Sequence, residues 1–267
     1  MAPEHTFDKQ VVHEAPSPFG TIFVVDEGDE RSLVFDHPEG NRQSTILKSD
    51  PLAVPLSYVR VATSGLAFTP GRARALVIGL GGGSFPMFLR RRQPRMRVDV
   101  VELNPVVVDV ARRFFGVRED DRLRITEEDG TRFLERDGPL YDLILLDAFF
   151  AEGVAEPFKE DPTVFEHLHR RLAPRGVGMV NIALETQEVR DRMIDAFVEV
   201  FGGCALLRGA SETNNVVVVG TRGGGPLPTE PIFRRRVAHL ARELRFRELK
   251  RSITGFSLRG PGEPPTT

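Results

Sequence analysis

Between residues 75 and 85 the chain reads Ala75-Leu-Val-Ile-Gly-Leu-Gly-Gly-Gly-Ser-Phe85, an apolar run of strand length that empties into a glycine-rich turn. A strand with no polar face must be covered by helices on both sides, which places it inside a parallel sheet. Glycines 79, 81, 82 and 83 let the backbone turn sharply and approach a ligand where a Cβ would collide. The helix predicted over residues 85–92 points its first unpaired N–H groups at the same spot. A second apolar run, Val98-Asp-Val-Val-Glu102, ends on an acid about 20 residues past the turn, where a carboxylate takes both hydroxyls of a ribose. Together these residues specify a half-fold that binds a nucleoside.

The pattern around it alternates strand and helix. Strands are predicted over 74–79, 97–102, 122–126, 141–146 and 177–183, with a terminal hairpin of 204–208 and 215–220. Helices are predicted over 56–67, 105–115, from Asp161-Pro162 to about residue 172, and over 185–201. Asn104 is placed to cap the second of these, with Pro105 in the first turn, where its missing N–H costs nothing. The fold class is therefore α/β, a doubly wound, mostly parallel sheet of seven strands with ligands at its carboxyl edge. Residues 1–70 differ: short β-prone runs at 21–25, 32–35 and 43–47 predict a small antiparallel subdomain. Residues 71–222 form the nucleoside-binding domain. Residues 223–267 are read as a basic helix packed on it, arginines in water, followed by a disordered Pro- and Gly-rich end from Gly260.

Composition narrows the function class. Thirty-six basic against 38 acidic residues leave a formal charge of −2, so nothing pulls the whole chain toward nucleic acid. Cys204 is the single cysteine, which excludes an internal disulfide and suits a reducing compartment. No apolar run reaches the roughly 20 residues that span a bilayer, and acids and a histidine precede the first hydrophobic stretch, unlike a secretory signal. A cytoplasmic protein without membrane association is the expectation. His167 and His169 face different sides of their helix, so no metal is expected.

Four segments deliver polar residues to the carboxyl edge. Gly79, Gly81 and Gly83 cradle the charged arm of the ligand, and Glu102 fits its ribose. Asp129-Gly130 pairs an acceptor with a small residue, as an adenine amine requires, although Asp129 alone reads equally as a helix N-cap. Asp147 closes the strand over 141–146 and faces the reacting centre. A dinucleotide fingerprint needs a third glycine where Ser84 stands; the adjacent glycines 81–83 and the acid-glycine pair favour S-adenosylmethionine over a nicotinamide cofactor.

At these residues the chain resembles the spermidine synthase family, on Val77-Ile-Gly-Leu-Gly-Gly-Gly83, Val101-Glu-Leu-Asn-Pro-Val-Val107, Asp129-Gly130 and Tyr141-Asp-Leu-Ile-Leu-Leu-Asp147, with the β-rich region before them. The resemblance implies a class I methyltransferase-type fold and aminopropyl transfer from decarboxylated S-adenosylmethionine to putrescine. It assigns nucleoside binding to Glu102, Asp129 and Gly130, the catalytic base to Asp147, and a glutamine near the donor sulfur to Gln43. It is compatible with a homodimer.

The departures redirect the acceptor. Where the family has Gly-Gly-Gly-Asp-Gly, this chain has Gly79-Leu-Gly-Gly82-Gly; a second family acid becomes Phe150, and a Tyr-His pair becomes Tyr58-Val59. A diamine brings two positive charges that a partly dry cleft must match with carboxylates, so putrescine fits poorly. The form Gly-Gly-Gly-Ser-Phe-Pro is similar to that of a methyltransferase branch which modifies proteins, including elongation factors. The expectation is an S-adenosylmethionine-dependent methyl transfer to a small-molecule amine or protein acceptor. The alternatives are an aminopropyltransferase and a non-catalytic nucleoside-binding module that engages a partner through its basic tail. Phe149, Phe150 and Phe158 around residues 151–156 are read as an apolar lid, and Tyr58 as reaching the acceptor side.

Overall fold

A computed structural model of the chain describes residues 9–51, 53, 56–150, 153–154, 161–183, 185–209, 215–223 and 225–263. It opens with four antiparallel strands in sequence order: β1 (Gln10–Ser17), β2 (Gly20–Glu27), β3 (Glu30–Phe35) and β4 (Arg42–Leu47). The three β-prone runs lie in β2, β3 and β4. β1 is an addition: its residues are all exposed or half-buried, so no apolar run announces it. Helix α1 (Ser57–Ser64) and a 3-10 turn (Gly65–Ala67) then lead to the main sheet.

Its parallel strands are β5 (Arg74–Ile78), β6 (Arg97–Glu102), β7 (Leu123–Glu127) and β8 (Tyr141–Leu146). A two-stranded ribbon, β9 (Phe149–Phe150) with β10 (Gly153–Val154), precedes the fifth parallel strand, β11 (Leu172–Ile182). The hairpin β12 (Cys204–Gly209) and β13 (Val216–Thr221) and a last strand, β14 (Ile253–Arg259), extend the sheet antiparallel. The order across it is β14-β12-β13-β11-β8-β5-β6-β7.

Alternate residues of the parallel strands face opposite sides. Val77, Val100, Leu145 and Met179 share a core with α1, α2 (Ser84–Arg92), α3 (Pro105–Phe114) and the inner face of the small sheet. Ile78, Val101, Leu146 and Val180 share the other with α4 (Gly130–Glu135), α5 (Thr163–Arg171) and α6 (Gln187–Phe201). Helix α7 (Glu230–Glu243) joins the first core through Phe233, Val237 and Leu240. The fold is therefore doubly wound, as expected. Asn104 caps α3, its Oδ1 accepting from Val106 N at 3.1 Å, with Pro105 first in the helix.

The sheet carries eight strands rather than the expected seven. The extra one, β14, lies in the segment read as helix and loose end, and pairs with β12, Leu206 opposite Ser257 and Leu207 opposite Phe256. Thr254, Gly255 and Ser257 dilute its apolar pattern, so local propensity is weak; the open edge of β12 supplies the pairing. The expectation of disorder from Gly260 is likewise corrected for its first residues, where the N–H of Gly260 bonds Glu263 Oε2 at 2.8 Å. Residues 264–267 lie outside the described part.

Arg171 ties the two halves of one layer together. Its buried guanidinium donates to the carbonyls of Phe133 (2.7 Å), Arg136 (2.8 Å) and Pro139 (3.3 Å), and lies over the rings of Phe133 and Tyr141. These bonds pin the loop between α4 and β8 to α5. Arg171→Ala strands those carbonyls and is expected to lower stability by about 3 kcal/mol in urea unfolding. Arg171→Lys, a point charge on a flexible stem, should recover less than half of that loss.

Candidate functional site

The chain leaves β5 outward through β6 and β7, then returns to β8 on the other side of β5. Ligands bind at such a reversal, outside the carboxyl ends of the strands. The ladder runs one residue past the strand ends: Gly79 N–H bonds the Val101 carbonyl and Asp147 N–H the Ile78 carbonyl, each at 2.8 Å. A Cβ on Gly79 (φ 98°) would lie 2.1 Å from the Asp147 carbonyl oxygen, and one on Gly82 only 2.7 Å from the Phe115 ring and 2.8 Å from Ser44 Oγ. The turn is thus pressed between β8 on one side and the small sheet on the other. At Gly81 (φ 52°) and Gly83 (φ 75°) the left-handed backbone itself favours glycine. Ser84, first in α2, is joined to β4 by Ser44 Oγ at 3.0 Å and by the Thr45 carbonyl at 3.3 Å.

Glu102 ends β6 beside this turn. Its Oε2 accepts from Leu80 N at 2.8 Å and its Oε1 from Asn104 N at 2.9 Å. Burial raises its carboxyl above the ordinary range, against the lowering effect of the backbone N–H groups of Asn104, Leu80, Leu103 and Gly81. One strand further out, Glu128 N–H bonds the Glu102 carbonyl at 3.0 Å, which sets Asp129 beside it. Asp129 is indeed an N-cap: Oδ1 accepts from Thr131 N (2.9 Å) and Arg132 N (3.0 Å), both bonds using the same oxygen. Gly130 is the buried first residue of α4.

Asp147 follows β8 and is half-buried. Its Oδ1 accepts from Asn181 Nδ2 at 2.8 Å, and Asn181 Oδ1 accepts in turn from Asn215 Nδ2 at 3.2 Å. Burial pushes the Asp147 carboxyl up to about 6, while hydrogen bonds from Asn181 and Tyr58 pull the other way. The Tyr58 phenol is held protonated by burial and by the Asp147 charge. Its single hydroxyl proton is shared between Asp147 and the Gln43 carbonyl, which lies 3.1 Å away. Gln43 is skipped in the β3–β4 register, where Leu33 pairs with Ser44 and Val34 with Arg42. Such a bulge frees a carbonyl from the ladder, and Tyr58 takes it.

The structure thus brings the glycine turn, Glu102, Asp129, Gly130 and Asp147 to the ends of four neighbouring strands, with Gln43 and Tyr58 approaching from the small sheet and α1. Of the lid residues, Phe158 and most of 151–156 lie outside the described residues, and β9 with β10 gives only the backbone of a short ribbon. Asn181, Asn215, Ser44 and Phe115 are additions to the sequence reading. Asn181 left a trace there, as the one polar residue in the apolar run 177–183; Phe115 left none. The arrangement offers acceptors at the ends of β6, β7 and β8 around a tightly packed turn, and two carboxylates, Glu102 and Asp147, whose affinity for a proton burial raises.

Among the described residues no helix is long and apolar enough to cross a membrane. Residues 59–199, over half of the chain, match the spermine/spermidine synthase domain. A polyamine aminopropyltransferase from Vibrio vulnificus (strain CMCP6) is 31% identical over 224 residues, 82% of this chain and 74% of that protein. An eEF1A lysine and N-terminal methyltransferase from Danio rerio is 35% identical over 159 residues, 56% of this chain but only 23% of that much longer protein. The crystal structure of human methyltransferase-like protein 13 in complex with SAH superposes with a TM-score of 0.65 at 23% identity, covering 71% of this chain and 93% of that one. Family match, relatives of both transferase types and fold agree: the chain belongs to the spermine/spermidine synthase domain family.

Proposed function

We propose that this chain is an S-adenosylmethionine-dependent methyltransferase acting on an amine or protein acceptor. The observation that carries the choice is at position 82. Where the family resemblance places an amine-holding acid, Phe115 and Ser44 occupy the space of any side chain. With Phe150 in place of a second acid, neither position at which the family resemblance places an amine-holding acid carries a carboxylate to pair with a diamine. The eEF1A methyltransferase relative supports the same reading. The polyamine aminopropyltransferase relative, matched over more of the chain, supports the second reading, aminopropyl transfer.

On the donor side the residues fit an adenosyl sulfonium. Glu102, half-exposed at the edge, takes the ribose hydroxyls; Asp129, whose cap uses only Oδ1, presents its other oxygen to the adenine amine above Gly130. Gly79 and Gly83 let the turn pack against Asp147 and Val117, and the backbone they shape, with Gly81 at its open point, runs beside the arm that carries sulfur, with Gln43 near it. The donor supplies a methyl group already activated on its sulfonium, so the protein chiefly aligns nucleophile and methyl carbon and excludes water. Asp147 accepts the proton that the acceptor nitrogen loses as its N–C bond forms and the S–C bond breaks. A carboxyl raised to about 6 is ionised at neutral pH yet more basic than a free aspartate. Asn181, oriented by Asn215, holds Oδ1, and Tyr58 helps to orient the carboxylate toward the acceptor.

Two measurements test this. Supplied separately with S-adenosylmethionine and its decarboxylated form, plus amines and cell extract, the protein should release S-adenosylhomocysteine from the first. Release of methylthioadenosine from the second would favour the aminopropyl reading, and binding of either without turnover the non-catalytic module. For Asp147, turnover should rise with pH through about 6 as the base ionises. Asp147→Asn should cut turnover about 100-fold or more with S-adenosylhomocysteine affinity kept; equal losses in both would remove Asp147 from the role of base. Because the folded carboxyl lies above its usual value of 3.8, ionising it opposes folding, a cost that grows from about pH 4 to about pH 6 and is full above. The same variant should therefore melt no lower than the parent at pH 7.

A further inference from the structure

A second site lies on the flank of α1, away from the donor. The end of α7 and the 3-10 turn Arg247–Arg251 enclose a cleft of about 800 Å³ lined by Ala241, Arg242, Arg245, Arg247, Glu248, Lys250 and Arg251. Elsewhere arginines meet carboxylates, as Arg31 meets Asp26, Arg74 meets Asp99 and Arg234 meets Glu230. Among the described residues the five cations of the cleft make no ion pair, and its single acid, Glu248, faces Arg60 of α1. In a chain of net charge −2, this is a local excess of positive charge in a concave surface, which focuses the field outward.

The backbone carries a second sign. Helix α7 ends in a Schellman turn, Phe246 N–H bonding the Ala241 carbonyl at 2.8 Å and Arg245 N–H that of Arg242 at 3.1 Å. The left-handed residue of this turn is normally glycine; here it is Arg245, at φ 51°. A guanidinium at the cleft thus stands where local stability favours its absence.

We propose that this cleft binds an acidic segment of the protein acceptor while the donor site modifies a residue elsewhere on it. This rests on the protein-acceptor reading above. Arg251 is two residues before β14, whose Ile253 pairs with Gly209 at the end of β12. β12 and β11 both run antiparallel to β13, so that end lies on the same edge of the sheet as Asp147. Ser57, beside Gly209, immediately precedes Tyr58, which reaches Asp147. One chain can therefore lie along α1 from cleft to site. Among the described residues no aromatic ring lines the cleft, so they offer no platform on which single-stranded nucleic acid stacks its bases; Ala241 and the aliphatic stems suit a peptide.

The test uses the full chain and fluorescence anisotropy of a labelled Glu-Gly repeat peptide at low salt, with oligouridine of equal charge as competitor. Arg247 and Lys250 are exposed, so Arg247→Glu with Lys250→Glu should fold normally and weaken the peptide about tenfold or more, S-adenosylhomocysteine binding unchanged. Arg245→Gly should raise the melting temperature by about 2 °C while also weakening the peptide, opposite signs that a purely structural arginine does not give. Peptide affinity unmoved by the charge reversals would overturn the proposal. So would displacement by oligouridine at lower concentration, which assigns the cleft to nucleic acid. Absence of S-adenosylhomocysteine binding in the parent protein would remove the donor reading alone, since the anisotropy decides the cleft by itself.

Discussion

Two strand ends, those of β5 and β8, approach so closely that no side chain fits between Gly79 and the carbonyl of Asp147. That contact fixes the candidate site. It sets Asp147 over the mouth of the glycine turn without any help from the Asp147 side chain, because the position is held by two ladder hydrogen bonds beyond the strand ends. From there the turn has one path. Left-handed backbone at positions 81 and 83 swings it up to the small sheet and down again into α2, whose first residue is tied to Ser44. The small sheet is thus part of the site wall, and its inner residues Ile22, Val24 and Leu33 belong to the same core as β5 and β6.

Three acids at one edge are chemically alike, and their surroundings make them different. Glu102 is buried enough to resist ionising, but it collects backbone N–H groups on both oxygens, so it suits fixed acceptance of hydroxyl groups. Asp129 commits one oxygen to the start of α4. Asp147 has side-chain partners, Asn181 and Tyr58, and the burial effect dominates, so its proton affinity rises to about 6. Burial raises both carboxyls, Glu102 against four backbone N–H groups and Asp147 against two side chains. The roles proposed for the three acids follow the groups that face each carboxylate.

The strand ends and glycine turn proposed to hold the donor were legible in the sequence because they are written in short, local patterns. An apolar run, glycines at fixed offsets and an acid at a strand end are all contiguous, and each has a backbone reason. Asn104 and Pro105 announced α3 in the same way. Features that depend on distant segments left weaker marks. β14 exists because β12 has an open edge, a fact that Thr254, Gly255 and Ser257 do not encode. Asn181 stood out only as a polar residue in an apolar strand, with nothing to say that it would meet Asp147 and Asn215. Phe115 reads as an ordinary apolar residue at the end of α3, and its contact with the space above Gly82 depends on how α3 lies against the sheet. Asp129 was ambiguous between cap and ligand, and capping one oxygen is compatible with both.

The same distinction explains where a family of this kind can vary its acceptor. Backbone geometry at the glycine turn is constrained from both sides and serves any adenosyl donor. The side proposed for the acceptor is built from groups of several elements that touch each other, Gly82 against Phe115 and Ser44. An acid restored at position 82 alone would meet the Phe115 ring and Ser44 before it met any substrate amine. Its carboxylate would be desolvated with no cation to face, which costs more than a missing contact. Placing an acid at 82 therefore requires changes at 44 and 115 as well, and their effects are not additive because the three positions share one volume. On the proposed reading, selectivity for the acceptor resides in a packed group of neighbours, whereas binding of the donor resides in the path of the main chain.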